Sequence, residues 1–206
     1  DMFTIPQGGF APDFNVKLAE QDYYISMGEG AELLADELNI SREEQEEFSF
    51  SSHEKAVAAR EAGKFDNEIV PITLEDGTII DQDSGPRNPD KEKIKSLNPA
   101  FRADGTVTAA TSSPFSIGAS AMLITSENFA NKYGLKIRAF IEGRAVAGVN
   151  WKMFGSGPVP ATKKALEKTG LSIDDIDALE LNEAFAAQAL YCIKKANWNP
   201  DKVNLN

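Results

Sequence analysis

After Asn98 the sequence alternates short apolar runs with capped helical stretches, and this alternation constrains the fold more than any other feature. Ala119–Ile124, Ile137–Val146 and Ala178–Leu181 are apolar enough to read as buried strands. Helix patterns fall between them. Ser126–Tyr133 opens on a capping serine and closes at Gly134, while Pro160–Thr169 carries proline in its first turn and closes at Gly170. Ser172–Asp175 reads as a short capped turn, and Glu183–Ala196 as a long helix with Asn182 as its N-cap. Strands and helices in this order argue for an α/β layered sheet. Central strands need neighbours on both sides, because unpaired buried amides and carbonyls are costly. Val203–Leu205 reads as the first residues of one more strand. The sequence therefore predicts either another chain over the sheet edge or an apolar face left open.

The earlier part has a different character. Residues 1–26 mix Pro6, Gly8, Gly9 and Pro12 with aromatic side chains and read as an ordered, packed loop. Met27–Leu38 places Ala31, Leu34, Ala35 and Leu38 on one helical stripe. Ser41-Arg-Glu-Glu44 is a capping box for a helix that ends at Gly63. Glu68–Leu74 and Thr78–Ile80 form a hairpin pattern around Asp76-Gly77, and Lys91–Leu97 is a short helix. Charge divides at the same place as pattern. Residues 1–97 hold 22 acidic and 9 basic side chains, a net of −13, whereas residues 98–206 hold 10 and 12, a net of +2. Asn98 is thus a candidate domain boundary.

Composition removes several classes of function. The single cysteine, Cys192, excludes an internal disulfide and any multi-cysteine zinc site. Basic stripes able to neutralise phosphates are absent, so nucleic acid is not an expected partner. No run approaches the ~20 apolar residues that cross a bilayer, and Asp1–Phe14 lacks the basic start and apolar core of a signal peptide. The expectation is a soluble cytoplasmic protein, or a mitochondrial matrix one in a eukaryote. The chain opens on Asp1 and runs out at Val203-Asn204-Leu205-Asn206, which suggests a part of something longer. Met27-Gly-Glu-Gly30 and Gly155-Ser-Gly157 lack the further glycine of a dinucleotide loop.

The strongest motif is Leu181-Asn182-Glu183-Ala184-Phe185-Ala186-Ala187-Gln188. By itself it is a strand running into a capped helix. Asn-Glu-Ala-Phe-Ala at such a turn resembles the thiolase signature, and the resemblance continues over nearly the whole chain. Ile40-Ser-Arg-Glu-Glu-Gln45, Ser52-His-Glu-Lys-Ala56, Glu61-Ala-Gly-Lys-Phe65, Glu68-Ile-Val-Pro71 and Asn98-Pro-Ala-Phe101 resemble the thiolase loop domain. Gly105-Thr-Val-Thr-Ala109, Gly157-Pro-Val-Pro-Ala161 and Leu171–Asp177 resemble its core; only residues 1–15 match loosely.

The resemblance implies a thiolase-like layered α/β fold, incomplete here: a CoA-covering loop domain over 1–114, the end of the N-terminal core half over 115–138, and the first part of the C-terminal half over 139–206. It implies acyl transfer, cleaving or forming 3-ketoacyl-CoA, with coenzyme A thioesters as substrates, no metal or redox cofactor, and a homo-oligomer, dimer or tetramer. The family's nucleophilic cysteine and its Gly-His-Pro loop have no counterpart in this sequence, so the chain alone is expected to be inactive. Asn182 is implied as the residue holding the water that stabilises the thioester oxygen. Ser113 matches the serine along the pantetheine arm, and Arg87 a positive residue near the CoA nucleotide. Ile117 stands where the family usually has aspartate, which implies either a rearranged loop or a side chain that is not the parent's own. Cys192 reads as a core side chain and His53 as a surface or helix-packing residue. The alternative function is a non-catalytic thiolase-like scaffold or CoA-binding subunit whose partner brings the missing groups.

Overall fold

The computed structural model describes residues 15–206. Side-chain caps set where most helices begin. Asn15 accepts from the Lys17 and Leu18 amides to open α1 (Val16–Ala19), and Ser26 caps α2 (Met27–Leu38). Ser41 opens α3 (Arg42–Glu61) with the expected reciprocal box: its hydroxyl accepts from the Glu44 amide at 3.1 Å, and the Glu44 carboxylate accepts from the Ser41 amide at 3.0 Å. Gly63, at φ 68°, turns the chain away from α3 in a conformation that costs glycine little. β1 (Ile72–Thr73) and β2 (Ile79–Ile80) pair antiparallel, Ile72 facing Ile80, so the expected hairpin forms. Next come α4 (Lys91–Lys95), capped by Asp90, and α5 (Glu127–Lys132), capped by Ser126. α6 (Pro158–Thr169) begins two residues before its predicted start, and α7 (Ala186–Ala196) follows. The predicted aromatic loop of residues 1–26 lies largely outside the described residues. Within them, Tyr23 packs its ring 5.9 Å from that of Trp151.

The core forms where α2 meets α7. Ala31, Leu34 and Ala35 from α2 pack with Ala187, Tyr191, Cys192 and Ile193 from α7, and Ile40, Val107, Trp198 and Val203 close the cluster. These are the stripe positions of the helical repeat. A 3₁₀ turn, Trp151–Ser156, lies over both helices. It approaches so closely that a Cβ on Gly155 would sit 2.7 Å from Leu34 and 2.9 Å from Gln188. Glu32 serves the packing in an unexpected way. Its buried carboxylate accepts from the Thr106 and Val107 amides and the Thr106 hydroxyl, each at 3.0 Å. The Thr106 hydroxyl also accepts from Gln45 Nε2 at 2.8 Å, so residues 106–107 are pinned to α2 and α3 together. That anchor sets the course of the chain into the 3₁₀ turn Ala109–Thr111.

Two predicted strands are not strands. Ala119–Ile124 and Ile137–Val146 make no ladder, and their large side chains face solvent: Met122 is 85% exposed, Ile141 70% and Val146 87%. Apolar sequence supplies a strand's side chains but not its hydrogen-bonding neighbour, and among the described residues no segment pairs with either run. Ala178–Leu181 shows the same limit in milder form. It makes one parallel bridge, Leu179 to Val203, with the Leu179 amide donating to Lys202 at 2.8 Å and the Asn204 amide donating to Leu179 at 2.9 Å.

Candidate active site

A polar cleft of about 380 Å³ opens between α3, the segment after Thr111, and the turn leading to α7. Ser52 and His53 face it from α3, Ser113 from the segment after the 3₁₀ turn, and Asn182 and Glu183 from the signature turn. Asn204 closes one end.

The signature turn is held from two sides. On one side Ser112 bridges Phe185, and the Ser113 amide donates to the Ala184 carbonyl at 2.9 Å. On the other, the Glu183 carboxylate accepts from Ser52 Oγ at 2.6 Å and from Asn204 Nδ2 at 2.7 Å. The Asn204 side chain also accepts from the Leu181 amide at 2.8 Å and donates to the Leu181 carbonyl at 2.9 Å. It thereby continues with a side-chain amide the ladder that Leu179 and Val203 begin. Asn204 lies at φ 48°, left-handed backbone that asparagine tolerates better than most residues. Lys55 holds that stretch in place through the Val203 and Asn204 carbonyls.

These restraints correct one expectation. Asn182 does not cap α7, and residues 183–185 are not helical; the helix begins at Ala186 after Phe185, which makes no side-chain cap. Pairing to Ser112 and Ser113, with the carboxylate engaged elsewhere, holds these residues out of the helix. Freed from capping, Asn182 is exposed in the cleft, and among the described residues its side-chain amide makes no hydrogen bond. Such an amide is available to a ligand or an ordered water.

Ser113 lines the same cleft and is exposed. Arg87 is not part of the lining; it lies exposed, its guanidinium donating to the Gly85 carbonyl of its own loop at 3.4 Å. Its charge nonetheless acts on the site. Burial first, and Arg87 second, hold the His53 imidazole below its usual pKa, with Glu183 opposing them. His53, read as a surface or helix-packing residue, is partly buried on α3 and lines the cleft. Cys192 is fully buried in α7, where burial pushes its thiol up to about 11 despite a hydrogen bond from Gln188. It therefore packs as a core thiol, as read from the sequence. Ile117 is wholly exposed in irregular chain.

Sequence reasoning missed the supports. Glu183 sits inside the signature and Ser52 inside a matched segment, but only their convergence from positions 131 residues apart gives them a role. Asn204 left a fainter signal, an asparagine just beyond a predicted strand start. Among the described residues, no group of three or more His, Cys, Asp or Glu side chains is arranged to hold a metal ion, and no helix is long and apolar enough to cross a membrane.

The fold matches a crystal structure of acetyl-CoA acetyltransferase from Bacillus anthracis with a TM-score of 0.86 at 44% identity, covering 88% of this chain and 47% of that one. It matches the human mitochondrial 3-ketoacyl-CoA thiolase with a TM-score of 0.87 at 35% identity, covering 98% and 54%. Residues 10–128 match the family profile "Thiolase, N-terminal domain" and residues 135–206 match "Thiolase, C-terminal domain". The chain belongs to the thiolase family and has a thiolase-like α/β fold. It is 51% identical over 189 residues to a 3-ketoacyl-CoA thiolase of Vibrio parahaemolyticus, covering 87% of this chain and 48% of that protein. An acetyl-CoA acetyltransferase of Paracoccus denitrificans is 44% identical over 192 residues, covering 91% and 49%. The chain thus spans about half the length of the curated relatives it matches.

Proposed function

We propose that this chain is the interior part of a thiolase-type acyltransferase that cleaves or forms 3-ketoacyl-CoA, and that Asn182 stabilises the thioester oxygen as charge develops on it. The observation that carries this reading is the free Asn182 amide, exposed in a polar cleft while its neighbours on either side are tied down. A fixed dipole that orders a water at the reacting oxygen lowers the barrier without reorganising during the reaction. Ser113, on the same cleft, lies along the pantetheine arm of a CoA thioester. Arg87 supplies positive charge toward the nucleotide. The substrate is a coenzyme A thioester, with no metal or redox cofactor, and the protein is a cytoplasmic homo-oligomer.

In this reading residues 1–114 form the loop domain, 115–138 close the N-terminal core half, and 139–206 begin the C-terminal half. The nucleophilic thiolate and the histidine base come from polypeptide outside these residues. Support comes from the coverage of about half of each relative, and from the burial of Cys192 beneath α2 and the Trp151–Ser156 turn. The 206-residue chain alone is then inactive.

The test is thiolysis of acetoacetyl-CoA. The 206-residue chain shows no turnover, while the polypeptide extended to the relatives' length turns over. In the extended protein Asn182→Ala lowers kcat by roughly 10²-fold or more, the usual loss when an oxyanion donor is removed. Turnover by the short chain alone overturns the fragment reading. An unchanged kcat in Asn182→Ala overturns the assignment of Asn182. An intact mass near 22.4 kDa for the cellular protein, with no longer form, favours a scaffold or CoA-binding subunit instead.

A further inference from the structure

We infer that Glu183 is a positioning residue for Asn182, acting with Ser52 and Asn204 as a strut beneath the turn. The inference rests on the catalytic reading of Asn182 given above. A carboxylate beside a candidate catalytic amide invites a role as general base, but its geometry argues otherwise. One oxygen accepts from Ser52 at 2.6 Å and the other from Asn204 at 2.7 Å, so both are committed to structure.

What the carboxylate holds is the turn itself. Through Ser52 it is fixed to α3, the longest helix described, which opens on a capping box. Through Asn204 it is linked to Leu181, whose amide and carbonyl both bond the same asparagine side chain. Residues 181 and 183 are therefore restrained through a shared asparagine. From the opposite side Ser112 and Ser113 pair with Phe185 and Ala184. Asn182 is the residue between, with no side-chain hydrogen bond of its own among the described residues. Its direction is set by the backbone on which it rides, and that backbone is set by Glu183. A free amide is useful in a reaction only if it arrives already aimed, because reorienting it during the reaction would cost the stabilisation it supplies.

The test is a double-mutant cycle in the polypeptide extended to the relatives' length, reading kcat and KM for acetoacetyl-CoA thiolysis. Glu183→Ala is expected to lower kcat about tenfold or more while KM changes less than about threefold. Glu183→Gln keeps the length and one acceptor, and is expected to recover most of the loss. Ser52→Ala removes one end of the strut and falls between them. In the Asn182→Ala background, Glu183→Ala is expected to have no further effect on kcat, since a residue acting only through Asn182 has nothing left to position. If the effects of Glu183→Ala and Asn182→Ala multiply, Glu183 acts independently and the inference is overturned. It is overturned alone if Asn182→Ala impairs kcat and Glu183→Ala does not. If Asn182→Ala has no effect, the catalytic reading of Asn182 fails and the inference goes with it. Should Glu183→Ala not fold, the same comparison with Glu183→Gln and Ser52→Ala decides: kcat equal to the parent in both overturns the strut.

Discussion

A single thiol and a single imidazole in a thiolase sequence tempt one to assign them chemistry, and their surroundings answer differently. Cys192 lies in the seam between α7 and the Trp151–Ser156 turn, its sulfur 3.4 Å from Gln188 and 3.5 Å from the Gly155 carbonyl. Burial raises its pKa from an ordinary 9.0 to about 11. The fold thus favours the protonated thiol. The stability this contributes is fully present below pH 9.0 and is lost as pH rises toward about 11. Over that range the parent chain is expected to lose melting temperature faster than Cys192→Ala, which has no thiol to ionise. At pH 7 the variant is less stable by about 1 kcal/mol, the cost of the small void. Thermal melts of both proteins across pH 7–11 check this; parallel curves would remove the buried-thiol account. The same burial makes native Cys192 unreactive toward iodoacetamide at pH 8 and reactive after unfolding, as mass spectrometry of the adduct can show. At this scale the sequence was legible where a residue type had one plausible environment. Cys192 in an aliphatic stretch could be read as core, whereas Glu183 could not be read as a strut, because its partners come from distant parts of the chain.

Helices were legible because their signals are local. Ser26, Ser41, Asp90 and Ser126 each cap the helix they precede, and the capping box at Ser41 formed as its spacing predicted. Ser41→Ala is expected to cost about 1 kcal/mol, read as a lower urea midpoint with an unchanged slope. Strands were legible only in their side chains, and α7 began three residues late because pairing outcompeted the predicted cap. The element that joins these levels is the Glu32 anchor. Its carboxylate satisfies the buried Val107 amide and the part-buried Thr106 amide. Removing it in Glu32→Ala leaves both unpaired, a loss of roughly 3 kcal/mol at one to three per orphaned group. Because the anchored segment runs on to Ser112 and Ser113, the variant should also loosen the cleft. Amide hydrogen exchange at Ser113 and Phe185 is expected to accelerate together with the drop in urea midpoint. Protection retained at both amides would separate the anchor from the site.

At the scale of the whole molecule the chain falls into unequal parts. The helices α2, α3 and α7 share a core, whereas the apolar runs within residues 115–146 are spread over the outside. Phe115 is 91% exposed, Met122 85% and Val146 87%, values typical of charged side chains rather than of these. Isolated apolar residues on a surface need no explanation, but a sequence-continuous series of them exceeds what a monomeric soluble protein usually presents. Among the described residues Ala119–Ile124 and Ile137–Val146 also make no strand pairing, which adds open hydrogen-bonding groups to apolar surface, the combination that leads one chain to pair with another. The isolated 206-residue chain is therefore expected to self-associate as its concentration rises, and to bind a hydrophobic dye in proportion. Charge placed on that surface should reverse this. Ile117→Lys, Met122→Glu and Ile141→Lys together touch no member of the core cluster, so the helical circular dichroism should persist while association falls. Sedimentation velocity over a hundredfold range of concentration reads both effects. A parent chain that stays monomeric throughout and binds no dye would mean that residues 115–146 fold back onto their own chain in solution. An associating triple variant would instead move the sticky surface elsewhere, with the exposed hairpin edge of Ile72 and Ile79 the next place to look.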